Sequence, residues 1–258
     1  MLKALSQRPA GRWYSAVSKR AAGLTAAAGL PPGAASDLVE ETFVLAGRAV
    51  RVLRPRDADA VLEDVLAEED PGDDRLPFWA ELWPSGVALA RALGTRPLAG
   101  RRVLELGCGL GLVAVTAALA GARVLAVDRS PEATAFAAAN AAHNGVTLQV
   151  AVCAFEEPGP LVAGAPWDLV LAADVLYEPR NVPVLLGLLP RLVDDGGEVW
   201  LADPGRQLRV PFLAGLAEAG WRCQRLRGNR RRWPSTAWSG ALLPAEMVVD
   251  ELDGCVVL

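Results

Sequence analysis

Arg102-Val-Leu-Glu-Leu-Gly-Cys-Gly-Leu-Gly111 reads as a buried strand that runs into a glycine-rich turn and opens a helix. Downstream the same alternation repeats. Small residues over 110–121 predict a helix, and RVLAVD (123–128) a second strand. Ser130-Pro131 supplies an N-cap and a proline at the first helical position, with the helix running to Asn144-Gly145. LQVAVC (148–153), WDLVLAAD (167–174) and EVWLAD (198–203) are the third, fourth and fifth strands. Leu185, Leu188, Leu189 and Leu192 mark a helix that Pro190 should kink. A helix at 211–219 and strands near 221–227 and 246–257 complete the chain. Strand–helix alternation of this kind implies a parallel sheet covered by helices on both faces. The expected fold is therefore α/β and Rossmann-like, with seven strands.

Working upstream, PFWAELWPSGVALARALG (77–94) brings two tryptophans next to a helical pattern in which Leu89 and Leu93 share a face. EEDPGDD (68–74) is an acidic loop, 57–68 is helical, and ETFVLAGRAVRVLR (41–54) alternates about Ala46-Gly47 as a β-hairpin. The first 36 residues carry Lys3, Arg8, Arg12, Lys19 and Arg20, with no acid before Asp37. They read as a basic tail or, in a eukaryote, a mitochondrial transit peptide. The expected organisation is a tail (1–36), an extension with a hairpin and a Trp-containing helix (37–100), and a core (101–258).

Composition narrows the function. Apolar residues make up 52% and charged residues 22%, which excludes wholesale disorder. A net charge of −4 is unsuited to coating nucleic acid. The longest apolar run, 106–122, contains four glycines and is shorter than the roughly 20 residues a bilayer span needs. Cys108, Cys153, Cys223 and Cys255 are far apart, and His143 is the single histidine, so no metal site is expected. The cysteines read as reduced thiols, which points to the cytoplasm, or to the mitochondrial matrix if the tail is a transit peptide.

In Glu105-Leu-Gly107-Cys108-Gly109-Leu-Gly111 the glycines permit close approach of backbone to a ligand. The spacing is GxGxG, not the GxGxxG of a dinucleotide site, which argues against a NAD-dependent oxidoreductase. Asp128, at the end of the second strand, stands where a carboxylate accepts the hydroxyls of an adenosine ribose. A cofactor with a ribose and no pyrophosphate fits, and S-adenosylmethionine is such a cofactor.

With these residues the chain resembles the class I methyltransferases over roughly 77–206. PFWAELWPSG (77–86) and the DxxY of ADVLY (173–177) are similar to methyltransferase family 16, a group rich in protein-lysine methyltransferases. ADPGR (202–206), with TAW (236–238), is most similar to the subgroup that methylates the β-subunit of electron transfer flavoprotein. The resemblance implies a cofactor pocket of Trp83, Glu105, Gly107, Cys108, Gly109, Asp128, Phe155 and Ala173. It makes Asp174 and Tyr177 the catalytic pair, and Trp79 and Arg206 substrate contacts. Many relatives have an acid where this chain has Ala154, so adenine is left to backbone groups and the Phe155 ring. The implied activity is lysine N-methylation of a protein, with that flavoprotein subunit as the expected substrate; the protein is expected to be a monomer acting off the membrane. A small-molecule N- or O-methyltransferase and a non-catalytic nucleotide-binding module are the alternatives. Methylation of a nucleic acid has only the arginines at 222–232 in its favour, and ADVLY lacks the [ND]PP[YF] signature of base-amino methylation. Arg206 either meets an acidic substrate or neutralises Asp203. The 222–232 arginines form a docking surface or the solvated face of a hairpin.

Overall fold

The computed structural model describes residues 38–66, 76–194, 196–225 and 255–257. The basic tail, the acidic loop, most of the 222–232 arginine cluster and the TAW segment lie outside the described residues.

Five parallel strands form the sheet: β3 (Arg102–Leu106), β4 (Arg123–Asp128), β5 (Gln149–Val152), β6 (Leu169–Ala173) and β7 (Glu198–Ala202). Their spatial order is β5-β4-β3-β6-β7. The chain thus builds outward from β3 in one direction, returns to the other side of it at β6, and continues to β7. That reversal leaves a crevice at the carboxyl ends of β3 and β6, the place where open α/β sheets bind ligands. Beyond β7, the short β8 (Gln224–Arg225) and β9 (Cys255–Val257) pair antiparallel.

Strand side chains alternate between two cores. Val103, Ala126, Leu171 and Trp200 face one, and Leu104, Val127, Val170 and Val199 the other. The first core is covered by α2 (Pro84–Gly94), α3 (Leu112–Leu119) and α4 (Pro131–His143). The second is covered by α5 (Gly159–Ala163), α6 (Asn181–Leu188) and α7 (Arg209–Glu218). A sheet buried on both faces explains the nearly continuous apolar runs. Phe136 and Phe212 anchor the two cores at zero exposure, each contributing about 1.5–3 kcal/mol by burial.

The local signals behave as their chemistry requires. The Ser130 side chain accepts from Ala133 N at 3.1 Å, so the cap forms as read. α6 stops at Leu188 and continues as a 3₁₀ turn, Leu189–Arg191, because Pro190 cannot extend the α-helical ladder. The expectation of a Trp-containing helix needs correction. Trp79 lies in a 3₁₀ turn (Phe78–Ala80), and Trp83 only caps α2, since Pro84 takes the first helical position.

The hairpin of β1 (Leu38–Leu45) and β2 (Arg48–Pro55) turns at Ala46 and Gly47, both at positive φ. It is bound to α4, far downstream in the chain. The Asn140 side chain accepts from Leu53 N at 2.7 Å, and donates to Leu53 O at 3.0 Å and Leu110 O at 2.9 Å. Asn144 brackets Arg51 in the same way, and His143 pairs with Glu40 at 2.6 Å. α1 (Ala58–Leu66) follows the hairpin.

Candidate active site

The glycine loop, Asp128, Phe155, Asp174 and Arg206 lie at or just past the carboxyl ends of the parallel strands, Glu105 lies within β3, and the tryptophans precede α2. After β3, Gly107, Gly109 and Gly111 have φ of 67°, 49° and 81°, left-handed values that side chains resist. A Cβ at Gly107 would lie 3.3 Å from Val175 and 3.7 Å from the Phe155 ring, so both side chains stand against the loop. At Gly111 a Cβ would meet Ala137 at 2.8 Å. That glycine is required by the approach of α3 to α4, a packing reason that the motif alone does not reveal.

Asp128 ties the loop down. Its Oδ2 accepts from Gly109 N at 2.9 Å and its Oδ1 from Ser130 N at 3.0 Å. A carboxylate offers about four acceptor sites, so capacity is left for a hydroxyl donor. Burial pushes its pKa up, against the pull of those backbone N–H groups.

Glu105 is buried beneath the loop, with Oε2 lacking a partner among the described residues. Burial raises its pKa well above the ordinary value; the Ala114 N–H opposes this and the charge of Asp128 adds to it. Cys108 is buried, and burial and both carboxylates push its thiol up, so it is no nucleophile. Two buried carboxyls under a glycine loop suit a ligand carrying ribose hydroxyls and a cationic amino group. S-adenosylmethionine has both, and the residues present fit it. Next to this loop the Ala154 carbonyl accepts from Glu157 N at 3.2 Å, and the Phe155 ring faces Gly107.

Beyond β6, Ala173 is half-buried and leads into Asp174, a non-glycine residue at φ 58°. Holding a side chain there costs about 1–3 kcal/mol and is typical of functional positions. Asp174 is 7% exposed. Its Oδ1 accepts from Arg206 Nε at 2.5 Å, while Oδ2 is buried without a partner among the described residues. Burial raises its pKa, and Arg206 restrains the rise. The Tyr177 phenol is pushed up by burial and by Glu178, with Arg129 beside it pulling the other way. It therefore stays protonated at neutral pH and can act as a donor or a wall, not as a base.

The tryptophans separate. Trp83 is 38% exposed at the rim, its Nε1 donating to Phe78 O at 2.9 Å, with the Arg206 guanidinium 6.0 Å from its ring centre. Trp79, read as a substrate contact, instead stacks on Phe136 at 5.3 Å and packs against the first core, with its backbone over Gly109. Phe78 takes the place at the rim, 44% exposed and edge-on to Tyr177 at 5.7 Å. It stands in PFWAELWP, but without the tertiary structure nothing separates the packed aromatic from the exposed one.

Arg206 resolves its two readings differently from either. Its guanidinium goes to Asp174, and its backbone N–H to Asp203 Oδ1 at 2.8 Å. Asp203 was missed as a site residue. It is 1% exposed, also accepts from Gly205 N at 2.8 Å, and keeps Oδ2 unpartnered among the described residues.

The site and the sheet order meet in the comparisons with known proteins. A family described as lysine methyltransferase matches residues 72–209, more than half of the chain. The chain belongs to the lysine methyltransferase family. It is 36% identical over 137 residues to the electron transfer flavoprotein β-subunit lysine methyltransferase of Xenopus laevis, covering 50% of this chain and 53% of that protein. It is 38% identical over 125 residues to the protein N-lysine methyltransferase METTL21A of Danio rerio, covering 46% and 57%. The matched region thus spans about half the length of these curated relatives. Among solved structures, the 16S rRNA N2 G1207 methyltransferase of T. thermophilus superposes with a TM-score of 0.53 at 17% identity, covering 75% of this chain and 48% of that one. That likeness concerns the fold, which is the Rossmann-like class I methyltransferase architecture. The GxGxG loop with Asp128 follows β3 and β4, and Asp174 with Tyr177 follows β6, so both border the crevice where the strand order reverses.

Proposed function

We propose that the protein transfers a methyl group from S-adenosylmethionine to a lysine side chain of a protein substrate, the β-subunit of electron transfer flavoprotein. One observation carries this reading: a buried Asp174 carboxylate with one oxygen held and one free, beneath a rim of Phe78, Trp83 and Tyr177. The free oxygen accepts from an amine, while the rim offers apolar faces to a lysine's methylene chain and π faces to a cation. S-adenosylmethionine, when bound, supplies a methyl carbon on positive sulfur, which the amine lone pair takes as the carbon–sulfur electrons return to sulfur. The protein's part is positioning, worth up to about 7–11 kcal/mol in well-oriented systems.

The matches to two lysine methyltransferases support a lysine acceptor, and the Asp-Pro-Gly-Arg segment at 203–206 supports the flavoprotein subgroup. We place the enzyme in the cytoplasm, or in the mitochondrial matrix of a eukaryote, acting as a monomer.

The direct test is incubation of the protein with tritiated S-adenosylmethionine and its host's electron transfer flavoprotein, followed by mass spectrometry of the labelled chain. Methyl-lysine on the β-subunit is the expected result. Label on another protein's lysine would refute the partner alone, whereas label confined to a small metabolite would refute lysine methylation. Asp174→Ala should reduce transfer at least a hundredfold, on the order of 2.7 kcal/mol, with cofactor affinity within a few-fold by calorimetry.

A further inference from the structure

Two buried carboxylates at the mouth of an amine site pose an electrostatic problem. Methyl transfer needs the acceptor's nitrogen lone pair, and an unperturbed lysine, with a pKa of about 10.4, is almost wholly protonated at neutral pH. A lone carboxylate beside it would hold the proton more tightly still. The structure places a guanidinium against that carboxylate. Arg206 Nε donates to Oδ1 of Asp174, and Oδ2 is buried with no partner among the described residues. The turn that brings Arg206 there is made by Asp203, whose Oδ1 accepts from both Gly205 N and Arg206 N at 2.8 Å. Asp174 and Asp203 follow the paired residues Ala173 and Ala202 on neighbouring strands, and Asp174 N donates to Ala202 O at 2.8 Å. The charged groups here are Asp174, Asp203, Arg206 and, farther out, Arg209, which acts on Asp203. Their formal charges sum to zero. Tyr177 and Glu178 follow Asp174 on its own loop, and Asp128 and Arg129 stand at the end of β4.

We propose that Arg206, held by the Asp203 turn, is a positioning residue that fixes Asp174 through one oxygen, presents the other to the substrate amine, and offsets the carboxylate's field so that the amine sheds its proton to water before attack. This rests on the lysine-acceptor reading above. Asp174 then orients the lone pair by accepting one of the remaining N–H bonds. It has no need to serve as the base, and its proximity no longer opposes deprotonation.

The test is the pH profile of methyl transfer, from tritiated S-adenosylmethionine to the proteins of a host extract freed of small molecules. In the wild type the rate rises with pH as the amine ionises. Arg206→Gln should displace that rise upward by about one pH unit, a loss of about tenfold at neutral pH that is regained in alkali. Arg206→Lys, which keeps the charge, should recover most of the neutral rate. Asp203→Asn keeps the turn's acceptor oxygen and removes a negative charge, so it should displace the rise downward. Opposite displacements cannot arise from a merely structural role, and Asp203→Asn still decides the matter if Arg206→Gln does not fold. Unshifted profiles in both variants, with S-adenosylhomocysteine affinity intact, would overturn the inference alone. Failure of the wild type to label any lysine would overturn the acceptor reading and the inference with it.

Discussion

Asp128 and Glu105 share the floor of the cofactor crevice but are held differently. Asp128 accepts backbone N–H groups from the glycine loop and from the start of α4. Asp128→Ala should therefore weaken S-adenosylhomocysteine binding by about 1–3 kcal/mol, through lost charge-assisted hydrogen bonds, and also lower the melting temperature. Calorimetry and a thermal scan on one sample check both parts. Glu105 is the costlier group, since one oxygen lies buried with no described partner. Its pKa is raised on folding, so the folded state binds the extra proton. Glu105 thus favours folding below its ordinary value of 4.5 and loses that contribution as pH rises through the higher folded value. Glu105→Gln should raise the melting temperature of the cofactor-free protein at neutral pH, by about 2–4 °C for each kcal/mol gained. The gain should vanish in acid. Melting curves at the two pH extremes measure it, and an unchanged difference between them would sink this account.

At the scale of elements, α3 and α4 approach so closely that Gly111 has no room for a methyl group against Ala137. Gly111→Ala should cost about 1–3 kcal/mol in chemical denaturation, from overpacking and from the left-handed φ. Gly109, whose Cβ would sit at an ordinary 3.5 Å from Trp79 O, should cost less when changed to alanine, chiefly through its φ. The order of the two, Gly111 above Gly109, is the prediction. Among the side chains that tie the hairpin to α4, Asn140 makes the buried bonds. Asn140→Leu removes three buried hydrogen bonds and strands the Leu53 N–H, an expected loss of about 3 kcal/mol or more. Faster hydrogen exchange at β2 would show it.

For the whole molecule, the crevice lies between two halves of one sheet, with a core on each face. A ligand bound there stabilises both halves together. S-adenosylhomocysteine at about a hundred times its Kd should add about 2.7 kcal/mol. A single cooperative transition should move up by roughly 5–11 °C at the usual 2–4 °C per kcal/mol. NADH at equal concentration should leave the transition in place. A comparable shift with NADH would reopen the dinucleotide reading that the GxGxG spacing disfavours.

Some of this was decided by local chemistry and is legible in order along the chain. Strand–helix alternation, the Ser130-Pro131 cap, the stop at Pro190 and the turn at Ala46-Gly47 each depend on neighbours a few residues away. Propensity and spacing carry them. The Asp174-x-x-Tyr177 pair was legible through resemblance, because it lies on one loop. Contacts across the sheet were not legible in this way. Which of Phe78, Trp79 and Trp83 would be packed or exposed depends on Phe136 and Tyr177, far away in sequence. Asn140 gives no local sign that it will clasp a strand 87 residues earlier. Arg206 reads as a partner for its neighbour Asp203, and it reaches Asp174 only because β6 and β7 are adjacent in the sheet. Periodicity records what a residue does to its own element. Which carboxylate receives a guanidinium depends on which strand ends the fold brings together.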